Sequence, residues 1–214
     1  MNNVFNLLDF NSGINLVYGK PATGKTTLAL MFAYEYSKSN KVIFIDTENS
    51  FSLERFKQIS KEDYEKCLKN ILLIRAKNFI EQHEAIKKLA NLKNIKLVIL
   101  DSLGKYYRVE VKQESFITNK RVKKDFRILK EMNANKTIIF ITDQIYEDFN
   151  LNKIIMVGGN LVRDSIDNLI KLDVNPRKLI IEKPINKENL FEINDNGIML
   201  IWKREIKVMF MVMY

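Results

Sequence analysis

An α/β fold is the class this sequence predicts: a mainly parallel, twisted sheet flanked by helices, ending in C-terminal antiparallel strands. Three observations predict it. Short β-branched runs alternate with longer amphipathic ones through the first two thirds of the chain, the pattern of units that build a parallel sheet. The strand-like runs are nearly continuous in apolar residues, as strands covered on both faces are. The last third instead carries short strand-like segments, two of them separated by the turn signal Asp195-Asn196-Gly197.

Taken in order, the first strand is expected at residues 14–18 and the first helix at 25–37. Strands follow at 42–46 and 71–75, a helix at 79–92, and a strand at 97–101. A helix at 119–132 comes next, where Val122, Phe126 and Leu129 recur at helical spacing and are expected to face the core. A strand at 137–142 closes the alternating part. Segments 178–183, 190–194 and 198–201 are the expected antiparallel strands. No Gly/Ser-rich or Pro-rich linker, internal repeat or low-complexity tract divides the chain, so one domain over residues 1–214 is expected.

Composition sets further bounds. Hydrophobic residues are 46% of the 214, ample for one core, and charged residues are 29%. The single cysteine, Cys67, excludes an internal disulfide and fits a reducing, cytoplasmic setting. It reads as a small buried hydrophobe. No signal peptide is expected, since Asn2, Asn3, Asn6 and Asp9 interrupt any apolar run, and no run approaches the roughly 18 apolar residues of a membrane helix. The sole histidine, His83, has no zinc partners in sight and is expected to be solvated. The apolar tail at 206–214 is expected to add a final strand. The formal charge of +9 favours polyanions such as nucleic acid.

Gly19-Lys20-Pro21-Ala22-Thr23-Gly24-Lys25-Thr26 fits G-x-x-x-x-G-K-[ST] in full, with Thr27 following. A buried-type strand precedes it and a helix follows, the context this motif needs to cradle phosphates. The two glycines let backbone N–H groups turn inward, and the helix end adds positive potential. ATP with Mg²⁺ is the ligand expected there. Lys25 would reach the β- and γ-phosphates and Thr26 would ligate Mg²⁺. Ligands in such sheets sit beyond the carboxyl ends of strands, and three more strand ends carry polar groups. "LVILDS" ends in Asp101, a carboxylate for the Mg²⁺ shell. "VIFIDTE" ends in Asp46, Thr47 and Glu48, with Glu48 placed to orient and deprotonate a water. "IIFITDQ" ends in Thr142, Asp143 and Gln144, with Gln144 placed to sense the γ-phosphate.

These segments resemble a known family. "GKPATGKTTLAL", "FIDTENSFSLERFKQI", "LDSLGKYYRVE", "ITDQIYEDF" and "VGGNLVRDSIDNLIKL" occur in that order. The set resembles the RecA-like P-loop NTPase core of recombinases, and most closely the RadB family, short archaeal paralogues of the RadA strand-exchange protein. The resemblance spans residues 4–201. It implies a core without an N-terminal helical domain, for which the 18 residues before the loop leave no room. It assigns Glu48 as the catalytic carboxylate, Arg55 as the arginine beside adenine, Gln144 as the sensing glutamine at the start of a second DNA loop, and Gly158, Gly159 and Asn160 as that loop's close. It implies ATP and DNA binding, a role in recombination and repair, very weak ATPase activity, no strand exchange alone, and links to a RadA-type recombinase and a Holliday-junction resolvase; it admits a homo-oligomer. The chain departs from the pattern at Asp143, expected to set a negative charge near passing DNA phosphates, and at Asp164, where a histidine is usual. The first DNA loop is expected to be absent or absorbed into residues 109–118.

Lys120, Arg121, Lys123, Lys124, Arg127 and Lys130 crowd the helix expected at 119–132, opposite its apolar positions. Such a run is either a solvated face or a phosphate-tracking patch. Tyr146, Phe149 and Lys153 would add contacts from the second loop. Three functional readings stand: a weak ATPase acting with DNA in repair, a non-enzymatic docking module locked by ATP, and a clock-protein-like regulatory ATPase of the same fold.

Overall fold

The computed structural model describes residues 4–6, 13–148 and 153–201. In chain order the elements are β1 Ile14–Gly19, α1 Lys25–Ser37, β2 Lys41–Asp46, α2 Leu53–Ser60, α3 Tyr64–Leu68, β3 Ile71–Arg75, α4 Phe79–Leu89, β4 Ile95–Asp101, α5 Gly104–Gln113, α6 Ser115–Ala134, β5 Ile138–Asp148, β6 Lys153–Met156, α7 Gly159–Arg163, β7 Asn168–Val174, β8 Arg177–Lys183, β9 Lys187–Asn194 and β10 Gly197–Ile201.

The strands form one sheet in the order β10-β9-β8-β7-β1-β5-β4-β2-β3, with β6 paired to the far end of β5. From β7 to β3 every pairing is parallel. From β7 to β10 every pairing is antiparallel. Successive strand residues point to opposite faces, and the sheet is therefore covered by two cores. Val17, Phe44, Ile99, Phe140 and Ile170 pack with α1 and with Phe56 of α2 on one face. Leu16, Ile43, Val98, Ile141 and Leu169 pack with α4, α5 and α6 on the other. Phe32 of α1 stacks on Phe140 with ring centroids 4.8 Å apart.

β3 and α1 fall where the sequence placed them, and the other expected elements differ at their ends. α6 starts earlier than expected, and α4 stops three residues before 92. β3 is an edge strand and exposes Leu72 and Arg75, so its apolar run is covered less fully than expected. Six elements lie outside the expected set: α2, α3, α5, β6, α7 and β7. The segment expected as a first DNA loop is helical, divided between α5 and α6. Within the segment between Tyr146 and Val157, β5 runs on to Asp148 and β6, from Lys153, is antiparallel to it. The Asp195-Asn196 turn joins β9 to β10, Asn194 facing Gly197. The expected strand in the tail lies outside the described residues. Among those described, no helix is long and apolar enough to cross a membrane.

Candidate nucleotide site

The loop between β1 and α1 is a cradle built by two glycines. Gly24 has φ +106°, a backbone that side-chain-bearing residues rarely adopt. A methyl group on Gly19 would stand 2.3 Å from the Leu172 carbonyl oxygen of neighbouring β7. No side chain caps α1. Its first internal hydrogen bond runs from Leu28 N–H to Gly24 C=O at 2.9 Å, so the N–H groups from Gly24 to Thr27 precede the helical ladder and face the loop. That row of donors, at the positive helix end, suits phosphate oxygens. Thr23 is buried and its hydroxyl donates to Lys20 C=O at 3.0 Å, tightening the turn. Lys20, Pro21 and Ala22 form the exposed lip.

Lys25 folds back inside, its ammonium donating to the carbonyls of Gly19 at 3.0 Å and Lys20 at 2.8 Å. Burial lowers its pKa, against the opposing pull of Asp101, Glu48 and Asp143. Three acidic strand ends thus act on one lysine.

The Thr26 hydroxyl lies 2.9 Å from Asp101 Oδ2. Asp101 is 2% exposed, and its other oxygen accepts from Thr142. Ser50, which sequence reasoning did not single out, donates to Oδ2 at 2.8 Å. Burial raises the Asp101 pKa, while these three hydroxyls favour its charged form. A divalent cation at this paired hydroxyl and carboxylate would supply the charge that burial withholds. The donor set therefore fits Mg²⁺, and the glycine cradle fits a triphosphate.

Glu48 Oε1 accepts from the Ser102 hydroxyl at 2.5 Å and from the Gln144 amide at 2.6 Å. Ser102 is held in turn by Thr47, whose hydroxyl donates to its carbonyl at 2.9 Å and accepts from its N–H at 2.8 Å. Asp46 does not join this chemistry. Its carboxylate accepts from the N–H groups of Glu48, Ser50 and Phe51 and shapes the turn that presents Glu48.

Asp143 corrects an expectation. It is fully buried, and desolvation raises its pKa well above the usual carboxylate range. It therefore faces no DNA phosphate, because its side chain is spent inside the fold. Asp164, by contrast, is exposed after α7.

Arg55 lies at the rim, donating to Asn194 C=O at 2.7 Å and to Gln58 at 2.9 Å. Ile193, beside Asn194, packs against Gly24, which places Arg55 on the same side of the loop. Arg177 of β8 also reaches the loop, at 3.3 Å from Ala22 C=O. Nothing in its local sequence marked it, since a β-hairpin brings it there from 155 residues away.

The basic residues of α6 stand apart from this site. Val122, Phe126 and Leu129 are buried as expected. Lys120, Lys123, Lys124, Arg127 and Lys130 are exposed and Arg121 is half-buried. Phe116, at the start of the same helix, is 79% exposed. Phe149 lies outside the described residues, and of Tyr146 and Lys153 only the backbone is described, on β5 and β6. His83 is a second correction. It is not solvated but buried, its Nδ1 2.5 Å from Asp125 Oδ1 of α6. Cys67 is fully buried, as a small hydrophobe.

Comparison with known proteins bears on this arrangement. The Rad51 family model matches residues 10–199. A DNA repair and recombination protein RadB of Methanococcus maripaludis (strain C5) is 33% identical over 201 residues, covering 89% of this chain and 92% of its own. The RadB protein of Methanosphaera stadtmanae is 31% identical, covering 86% of each chain. The crystal structure of the RadB recombinase superposes with a TM-score of 0.73 at 26% identity, covering 87% of this chain and 89% of that one. With its RecA-like sheet and RadB relatives along most of its length, this chain belongs to the Rad51 family.

Proposed function

We propose that the chain binds ATP with Mg²⁺ in the loop from Gly19 to Thr27, binds DNA, hydrolyses ATP slowly, and serves DNA repair and homologous recombination as an accessory to a RadA-type recombinase or a Holliday-junction resolvase. The repair and recombination role rests on relatives that carry that name along most of their length. The nucleotide reading rests on one observation above all: Thr26 and Asp101 meet at 2.9 Å beside Lys25 at the mouth of a glycine cradle.

In this reading the amides of residues 24–27 and the Lys25 ammonium hold the phosphates. Thr26 and Asp101 hold the metal, which when bound offsets negative charge on the phosphate oxygens. Glu48 takes the proton of a water, and Gln144 stands beside it. Lys25 must exchange its carbonyl partners for phosphate, a change its two donors to the loop allow. Titration calorimetry with Mg²⁺ and ATP is expected to show binding, lost in Lys25→Ala. Purified protein is expected to turn over below the roughly 1 s⁻¹ of working enzymes. Absence of heat with the unaltered chain overturns the reading.

A second reading is favoured by the same geometry. Glu48 already accepts two short hydrogen bonds, which suits a protein that uses ATP to lock its fold and docks on a recombinase filament. Glu48→Gln separates the two: loss of function with ATP binding intact supports catalysis, and retained function supports docking. Loss of salt-sensitive DNA binding when the α6 lysines are removed argues against a clock-like regulator.

A further inference from the structure

Arg108 lies on α5, within the segment "LDSLGKYYRVE" but with no role assigned to it above, and it ends beside Gln144 in the candidate site. Its Nη2 donates to Gln144 Oε1 at 3.0 Å. The approach of α5 to β5 makes this contact. Gly104 sits so close that a methyl group there would lie 2.4 Å from Asp143 Oδ1. Arg108, one turn further along, is thereby set over Gln144 of β5.

The contact decides which way the Gln144 amide points. A guanidinium can only donate, and a carboxylate can only accept. Gln144 lies between Arg108 and Glu48, so its oxygen must face Arg108 and its NH₂ must face Glu48. Glu48 selects that orientation from the NH₂ side, and Arg108 anchors the amide from the oxygen's side. The opposite orientation would set two oxygens against each other at the 2.6 Å now spanned by the Gln144–Glu48 hydrogen bond.

We infer that Arg108 is a positioning residue, which locks the Gln144 amide with its NH₂ turned toward Glu48 and the phosphate side of the loop. Arg108 itself does not touch the reacting atoms. It acts through Gln144 on the carboxylate that handles the water, and to that extent the inference rests on the ATP reading. A phosphate oxygen is an acceptor like Glu48, so the same orientation serves whichever of them the amide contacts.

The first test needs no nucleotide. In ¹⁵N-labelled protein the side-chain amide of Gln144, identified by its loss in Gln144→Glu, is expected to be shifted away from the solvent-exposed position and slow to exchange. Arg108→Ala is expected to move it toward the exposed position and to speed its exchange, with the backbone spectrum otherwise intact. Arg108→Lys, which keeps a donor, is expected to retain most of the shift. An unchanged Gln144 amide in Arg108→Ala overturns the inference.

The second test follows single-turnover hydrolysis. Arg108→Ala is expected to slow it roughly 10- to 100-fold, the scale of misplaced catalytic groups, with ATP affinity unchanged. Arg108→Lys is expected to recover part of the rate, and Arg108→Ala is expected to add little to Gln144→Ala. An unchanged rate in Arg108→Ala, or additive losses in the double variant, overturns the link to Glu48. Should the unaltered protein take up no ATP, the ATP reading falls and takes the link to hydrolysis with it. The amide spectrum alone then decides whether Arg108 holds Gln144.

Discussion

Burial changes what single residues can do in this protein, and the His83–Asp125 pair is the clearest case. Both side chains are almost sealed, and Asp125 Oδ2 has no hydrogen-bond partner among the described residues. Burial pushes the Asp125 carboxyl up to about 8, against the pull of Lys124, Arg121 and Lys87 and with the push of Glu84. It also lowers the His83 imidazole. A carboxyl raised on folding holds its proton more tightly in the folded chain. Its stabilising effect is complete below its ordinary value of about 4 and is lost as pH rises through the folded value. His83 has the opposite sign, with stability lost as pH falls below its ordinary value of about 6.5. The window above that value isolates Asp125. Between pH 6.5 and 8.5 the melting temperature of Asp125→Asn is therefore expected to gain on the unaltered protein by roughly 3–6 °C. A constant difference across those pH values would refute the raised carboxyl. The one histidine gave no sequence signal of this pairing, because its partner lies 42 residues away on another helix.

At the scale of elements, α6 shows how far periodicity carries. Its apolar spacing placed Val122, Phe126 and Leu129 correctly, and its 20 residues give a rod of about 30 Å. The same spacing aligns Phe116, Lys120, Lys123, Arg127 and Lys130 along one outward stripe, the geometry of a phosphate track. Arg121 and Lys124 lie to the side, near enough to Asp125 to act on its charge. Replacing Lys120, Arg121, Lys123 and Lys124 by Ala is expected to weaken DNA binding and to cut the log–log salt slope by about 3.6 from a starting value near −5. Fluorescence anisotropy across salt concentrations measures it, and an unchanged slope removes α6 from the interface. Other elements were less legible for physical reasons. β7 reads Asn-Leu-Ile-Lys-Leu-Asp-Val, and its Lys171 and Asp173 pair with each other at 2.8 Å on a thinly covered face. A half-open strand next to β1 was thus masked by its charges. α2 had a readable start, Ser52 accepting from Arg55 N–H at 3.1 Å with Glu54 in the first turn. α5 had none, since Leu103 before it offers no side-chain cap.

The whole molecule joins two kinds of sheet across β7, and the nucleotide loop depends on both. Parallel strands supply the loop and its acidic neighbours. The antiparallel strands β8 to β10 supply Leu179, Phe191, Ile198 and Leu200 to the core beneath α1. They also set Ile193 against Gly24 and Arg177 against Ala22. Phe191→Ala is expected to cost about 3–5 kcal/mol, as large-to-small changes in packed cores do. Urea unfolding measures it, and a loss under about 1 kcal/mol would show that this half of the sheet is not packed as one body with the rest. By itself the sequence determined the glycine loop after β1, the three polar strand ends and the α/β alternation, because each is local: a glycine spacing, a residue after an apolar run, a period. Tertiary structure alone decided that Asp143 is buried, that Asp46 shapes a turn, that His83 meets Asp125, that Arg108 reaches Gln144 and that Arg177 reaches the loop. Those outcomes depend on which strands become neighbours and how closely helices approach them, and contacts between residues distant in the chain leave no trace in its local pattern.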